Sequence, residues 1–270
     1  MTIPTLPLRV APPLMFGSRR ALRLIERNLY VYRRTWIVIV SGFFEPLFYL
    51  LSIGFGLGRL VGNVPGPGGA EIPYQLFIAP ALLASSSMNG AITEATLNFF
   101  FKLKYQKTFD AILSTPLSTA DIAVGELGWA LIRGALYTAG FLVVMVVLGL
   151  ATTPWVLLTL PAALLISFAF GAVGMAATSF MRTWQDFDLI QLVILPMFLF
   201  SGTFYPLDAY PEPARFLVQV TPLYQGVDLL RSLAVGHVDL SIVVHVAYLS
   251  IMGVIGLIVV SRRLDKLLLR

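Results

Sequence analysis

The chain has 270 residues, 57% of them hydrophobic and 12% charged, with a mean hydropathy of +0.83. Soluble domains carry about 25% charged residues, so this composition excludes an ordinary soluble protein, and no polar stretch is long enough for a separate catalytic domain. The net charge of +5 comes from basic residues beside apolar runs, which points to anionic lipid headgroups and away from nucleic acid; the absence of cysteine excludes disulfides and thiolate metal sites.

Residues 1–15 are proline-rich and apolar without period, as expected of a flexible arm. Residues 16–36 read as an interfacial amphipathic helix. Leu22, Ile25, Leu29, Tyr32 and Trp36 share one helical face, and Arg19, Arg20, Arg23, Arg27 and Arg34 lie mostly away from it. The apolar run that follows is too long for a signal peptide, contains Glu45-Pro46 and lacks a small-residue cleavage site.

A membrane span takes about 20 apolar residues. Six such runs fall at about 37–57, 74–101, 121–150, 154–180, 187–202 and 241–261, within a transmembrane region of residues 37–261. The fold class is therefore an all-α membrane protein of six transmembrane helices. A glycine-rich loop joins the first two runs. Residues 102–120 form the longest polar interval between two long runs. Within it Phe109, Ile112 and Leu113 recur at i, i+3 and i+4, opposite Lys107, Asp110 and Ser114, which predicts a short amphipathic helix. That helix has two readings, a solvated turn and a docking element for a soluble partner. Residues 204–235 carry four prolines and are too polar to span; they predict a re-entrant hairpin before the last run. Residues 262–270 form a basic tail.

Fifteen of the nineteen Lys and Arg residues fall in the amino-terminal segment, the second-to-third and fourth-to-fifth connections and the tail. The opposite loops hold only Arg59, Arg215 and Arg231, and Arg133 lies within a span. This bias predicts that both termini are cytoplasmic.

No phosphate-binding loop, zinc-protease motif or nucleophile elbow is present. The chemistry-bearing candidates are ionisable residues inside spans, each costing several kcal/mol, on the order of 3, unless paired or wet. They are Glu45, Glu94, Glu126 and Arg133. Arg133 lies about 18 Å inward of Asp121 by helix rise, with Glu126, Glu45 and Glu94 as candidate partners. Two readings stand, a structural ion pair and a substrate contact or proton relay. Asp186 and Asp188 suit capping better than metal binding, and no metal site is expected.

Four blocks carry a family resemblance: EPLFYLLSIGFGLG, SSSMNGAITEA, QKTFDAILSTPLSTADIAVGELGWALIRG, and LPMFLFSGTFYPLD with TPLYQGVDLLRSL. Together they resemble the permease subunits of type-2 ATP-binding-cassette exporters, most closely the nodulation lipo-oligosaccharide export branch. The resemblance implies a non-enzymatic permease of the bacterial cytoplasmic membrane that dimerises with a second copy or a paralogue. It also implies two separate ATP-binding subunits holding ATP and Mg, with no cofactor in this chain and an amphipathic cargo, a lipid, a lipid-linked saccharide or a hydrophobic drug. It assigns the ATPase contact to Gln106, Lys107, Thr108, Phe109, Asp110 and Leu113. It assigns an outer gate to the hairpin bearing Tyr205, Pro206, Pro222, Tyr224 and Asp228, and it matches Glu126 to a family glutamate. The alternative is an ion- or proton-coupled secondary transporter, served by Glu45, Glu94 and Arg133; such folds are built from repeated halves, and this sequence shows no internal repeat.

Overall fold

The computed structural model describes residues 19–32, 44 and 46–269. The amino-terminal arm, the start of the first apolar run and Glu45 lie outside the described residues.

Among the described residues the fold is all-α apart from one short hairpin. The order is α1 (Arg19–Tyr32), α2 (Pro46–Val61), the antiparallel hairpin β1 (Asn63–Pro65) and β2 (Glu71–Pro73), α3 (Tyr74–Tyr105), α4 (Thr108–Leu113) and α5 (Thr119–Val147). Then come α6 (Pro154–Thr178), α7 (Phe187–Leu199), α8 (Glu212–Val220), α9 (Pro222–Val235) and α10 (Ser241–Leu268). Four helices, α3, α5, α6 and α10, are long and apolar enough to cross a membrane. The chain is thus a multi-pass all-α membrane protein. Helices α2 and α7 are apolar but shorter, α7 having 13 residues where an unaided crossing takes about 20.

Two expected boundaries move. Helix α3 runs past Phe101 to Tyr105, so Lys102 and Lys104 are helical, not part of a loop. Its last turn is widened: the Gln106 N–H donates to the Phe101 carbonyl at 2.9 Å. Lys107, at φ 49°, then turns the chain into α4 through the left-handed region. Helix α10 continues to Leu268, so most of the expected tail is helical, because Leu264, Leu267 and Leu268 still find apolar neighbours. The protein-facing side of α1 is Ala21, Leu24 and Asn28, whereas Leu22 and Leu29 are exposed. Ile25 is half-buried at the edge of that side.

The core has two apolar clusters. One lies at the hairpin end and joins Leu50, Phe77, Leu82, Phe141, Ile166 and Leu230. The other lies at the far end and joins Leu24, Phe99, Phe109, Ile122, Met175 and Leu264. Glycines set the helix spacing in both, as expected where small residues let backbones approach closely. Gly125 and Gly128 of α5 receive Leu24 and Ile25 of α1. On α10, a Cβ at Gly256 would stand 2.7 Å from the Val173 amide nitrogen and 2.8 Å from the Ala172 carbonyl carbon. Backbone cannot swing aside, so Gly256→Val should force α10 off α6. We expect a loss of about 3 kcal/mol, read as a lower thermal midpoint and less monodisperse protein in detergent.

Asp186 closes a capping box before α7. Its carboxylate accepts the Arg182 N–H at 2.7 Å and the Thr183 N–H at 3.2 Å, and these bonds hold its pKa below the usual carboxylate value. A depressed folded-state pKa stabilises above the unfolded value and loses that contribution as pH falls through the folded one. The 182–187 turn should therefore loosen only below about pH 4, measurable as faster amide exchange at Arg182 and Thr183, and Asp186→Ala should show that loosening at neutral pH.

Candidate functional site

The polar groups that matter sit where apolar helices cross. Near the far end, Lys102 of α3 donates to Glu126 of α5 at 2.5 Å, with side-chain exposures of 11% and 4%. Asn28 of α1 completes the cluster, donating to Glu126 at 3.3 Å and accepting from Lys102 at 3.4 Å. Three helices are thus tied by three hydrogen bonds in a buried place. The sequence explains the geometry: Gly125 brings α1 against α5, and the widened last turn of α3 carries Lys102 to the same level. Glu126 does not pair with Arg133.

A second cluster lies deeper. Arg133 of α5 forms an ion pair with Glu94 of α3 and donates to the Tyr137 hydroxyl at 2.9 Å. Asn98 donates to the same Glu94 carboxylate at 2.7 Å. Glu94 begins a π-helical turn over Glu94–Asn98, and such widened turns concentrate at functional places. Among the described candidate partners Arg133 meets Glu94 and not Glu126; Glu45 lies outside the described residues.

Helix α4 is short but rooted. Phe109 is fully buried and stacks near Phe99 at 5.1 Å between ring centroids, and Ile112 is buried beside it. The expected contact residues therefore divide. Phe109 faces inward, Leu113 and Thr108 are half-buried, and Gln106, Lys107 and Asp110 are exposed. Thr119, the first residue of α5, donates to Asp265 of α10, while Ser118 and Asp121 cap α5 reciprocally. Phe109 and Ile112 of α4 belong to the apolar cluster that also takes in Phe99 of α3, Ile122 of α5, Met175 of α6 and Leu264 of α10.

At the hairpin end, α9 is buried along most of its length. Tyr205 is exposed, Pro206 and Asp208 lie on the preceding turn, and Pro222 opens α9 with Thr221 as its cap. Asp228 meets His245 of α10 at 3.1 Å, and His245 also meets Gln225 at 2.5 Å. Arg231 is buried. It donates to the Phe77 carbonyl at 3.1 Å and to the Gly202 carbonyl at 2.8 Å, its guanidinium 3.6 Å from the Phe77 ring centroid. Between α2, α3 and α7, Ser85, Ser86 and Asn89 face a small recess with Tyr49 and Phe198. Among the described residues no group of three or more His, Cys, Asp or Glu side chains gathers.

Sequence reading missed Asn28, Lys102, Arg231 and His245 as site residues. Two left a signal: Asn28 is the polar member of an i, i+3, i+7 set with Ala21 and Leu24, and Arg231 stands alone within the run LL-R-SL.

Comparison with known proteins agrees with this arrangement of long apolar helices. The profile of the ABC-2 type transporter family matches residues 20–235. The chain is 33% identical over 256 residues to Nodulation protein J of Rhizobium leguminosarum bv. trifolii, covering 94% of this chain and 96% of the relative. It is 30% identical to Nodulation protein J of Rhizobium leguminosarum bv. viciae, covering 94% and 97%. Inner membrane transport permease YadH of Escherichia coli K12 is 24% identical, over 80% of this chain and 83% of the relative. The matched span takes in α1, both buried ion pairs, α4 and α9, so this chain belongs to the ABC-2 type transporter family.

Proposed function

We propose that the chain is the membrane half of an ATP-driven exporter in the bacterial cytoplasmic membrane. It has six spans with both termini cytoplasmic, and it moves an amphipathic cargo of the lipid or lipid-linked saccharide kind outward. Two ATP-binding subunits holding ATP and Mg work on a dimer made with a second copy or a paralogue. The single observation that carries this reading is the construction of α4. It exposes Gln106, Lys107 and Asp110 on one side, and on the other it is rooted by Phe109 in the cluster that joins α1, α3, α5, α6 and α10. A push on that surface acts on an apolar cluster to which all four long helices contribute. In this reading residues 102–120 are the coupling segment and residues 204–235 the outer re-entrant hairpin.

Two further observations support the reading. Ser86, Asn89 and Thr93 form a partly exposed polar stripe on α3, flanked by the exposed apolar faces of α2 and α7. A second copy laid over those faces would enclose a path, polar on α3 and lined by Tyr49 and Phe198. Exposed apolar faces of this size mark interaction surfaces or lipid contact. The name of one relative, an inner membrane transport permease, fits a role in transport across that membrane.

The test separates surface from root. Asp110→Ala should leave thermal stability unchanged while lowering transport per ATP hydrolysed by about tenfold, because only a contact with the ATPase is lost. Phe109→Ala should also lower stability, by about 3–5 kcal/mol. Full coupled transport by Asp110→Ala and by an Asp110→Arg variant would count against the docking role of α4.

A further inference from the structure

We infer that the cavity at the hairpin end is a binding site for a neutral sugar ring, the last protein contact of a saccharide-bearing cargo on its way out. The inference rests on the export reading for its direction; the chemistry of the cavity stands by itself.

The cavity has a volume of about 150 Å³, and a cavity of that size accepts a six-membered ring. Its floor is Phe77 of α3. One wall is α9, where Tyr224, Asp228 and Arg231 follow at i, i+4 and i+7 and so share a face; the turn bearing Asp208 and the hairpin tip at Pro65–Pro67 close the other sides.

The donor and acceptor inventory selects the ligand. Asp208 and Asp228 accept hydrogen bonds, Arg231 only donates, and Tyr224 does both and adds a ring face. The charges nearly cancel locally. Arg215 lies 3.8 Å from Asp208, and Arg231 follows Asp228 by three residues, under one turn, on the same helix. An anion would face two carboxylates. A cation would face a guanidinium. An apolar group would strip water from all of them without replacing a single hydrogen bond, which costs about 1–3 kcal/mol per group. A ring carrying several hydroxyls donates to the carboxylates, accepts from the guanidinium and offers a C–H face to Tyr224, while Phe77 stays covered by Arg231. Arg231 is already held by two backbone carbonyls and the Phe77 ring, so the donor is fixed before a ligand arrives. A site at an exit must also release, so affinity near about 1 mM suits it.

The experiment uses the full chain with its ATPase subunits in lipid nanodiscs, and saturation-transfer NMR. The probes are cellobiose and N,N′-diacetylchitobiose, with inorganic phosphate and choline as the charged comparisons. A saturable signal from at least one disaccharide is expected, weakened about tenfold by Asp208→Asn and unchanged by Glu212→Gln, whose side chain is exposed outside the cavity. Asp208 is exposed, so its variant does not put folding at risk. Three results would overturn the site: no disaccharide signal, phosphate or choline binding in its place, or full binding by Asp208→Asn. ATP-driven cargo efflux, measured in vesicles from the same preparation, separates the two claims. Efflux without sugar binding removes the site and leaves the exporter; sugar binding that persists with no response to ATP removes the exporter and leaves the site.

Discussion

Glu126→Ala is expected to cost about 3–5 kcal/mol, because it leaves the Lys102 ammonium buried beside Asn28 without its carboxylate. The effect should reach α1, whose hold on α5 combines Asn28 with the seating of Leu24 and Ile25 on Gly125 and Gly128. A lower thermal midpoint and faster amide exchange along α1 are the readouts. The double variant Lys102→Met with Glu126→Leu should recover much of the stability, since replacing a whole buried pair by apolar groups is often neutral or favourable. Stability and coupling should then part company. The double variant folds but joins α1, α3 and α5 only by apolar contact, so its ATPase should turn over with less cargo moved per ATP. Equal coupling in the double variant would reduce the cluster to a packing device.

The second large effect is expected at Arg133. In Arg133→Met, Glu94 keeps Asn98 as a donor but loses its counter-charge inside the span. A carboxylate left in that position without its counter-charge costs several kcal/mol, on the order of 3. Glu94→Gln should be milder, because Arg133 retains the Tyr137 hydroxyl and an amide oxygen can still accept. The two positions should be non-additive by about 2 kcal/mol in a double-mutant cycle. A structural pair and a proton relay then give different transport results. The variant Glu94→Leu with Arg133→Met removes every titratable group of the pair, and ATP-driven transport should survive it if the pair only holds α3 and α5 in register. Abolished transport with intact folding would assign the pair a direct part in the path.

The apolar runs of α3, α5, α6 and α10 were legible because period and length act locally: about 20 apolar residues bounded by turn residues leave few alternatives. Their ends were less legible. Lys102 is helical because a widened turn and a partner on α5 stabilise it there, and neither is visible from residues next to it in sequence. Helix α10 outruns its apolar stretch for a similar reason, since Leu264 and the Thr119–Asp265 bond lie against elements over a hundred residues away. The ionisable residues were found because charge inside an apolar run is conspicuous, but their pairing was not. Glu126 and Arg133, seven residues apart, share a face of α5, yet each takes its partner from α3. Phe109 shows the remaining gap. Periodicity gives α4 an apolar side, but which residues root the helix and which meet a partner depends on what lies beneath, and that is Phe99.

The central claim is that a membrane bundle without a nucleotide site is driven through α4 by a separate ATPase. It is tested most directly in sealed vesicles holding the purified chain, with and without the ATPase subunits, loaded with a fluorescent lipid-linked saccharide. The account predicts cargo movement only when the ATPase subunits and ATP are both present, unchanged when ionophores collapse every ion gradient, and lost with Asp110→Arg. Movement by the chain alone along a proton or sodium gradient, indifferent to ATP, would contradict it.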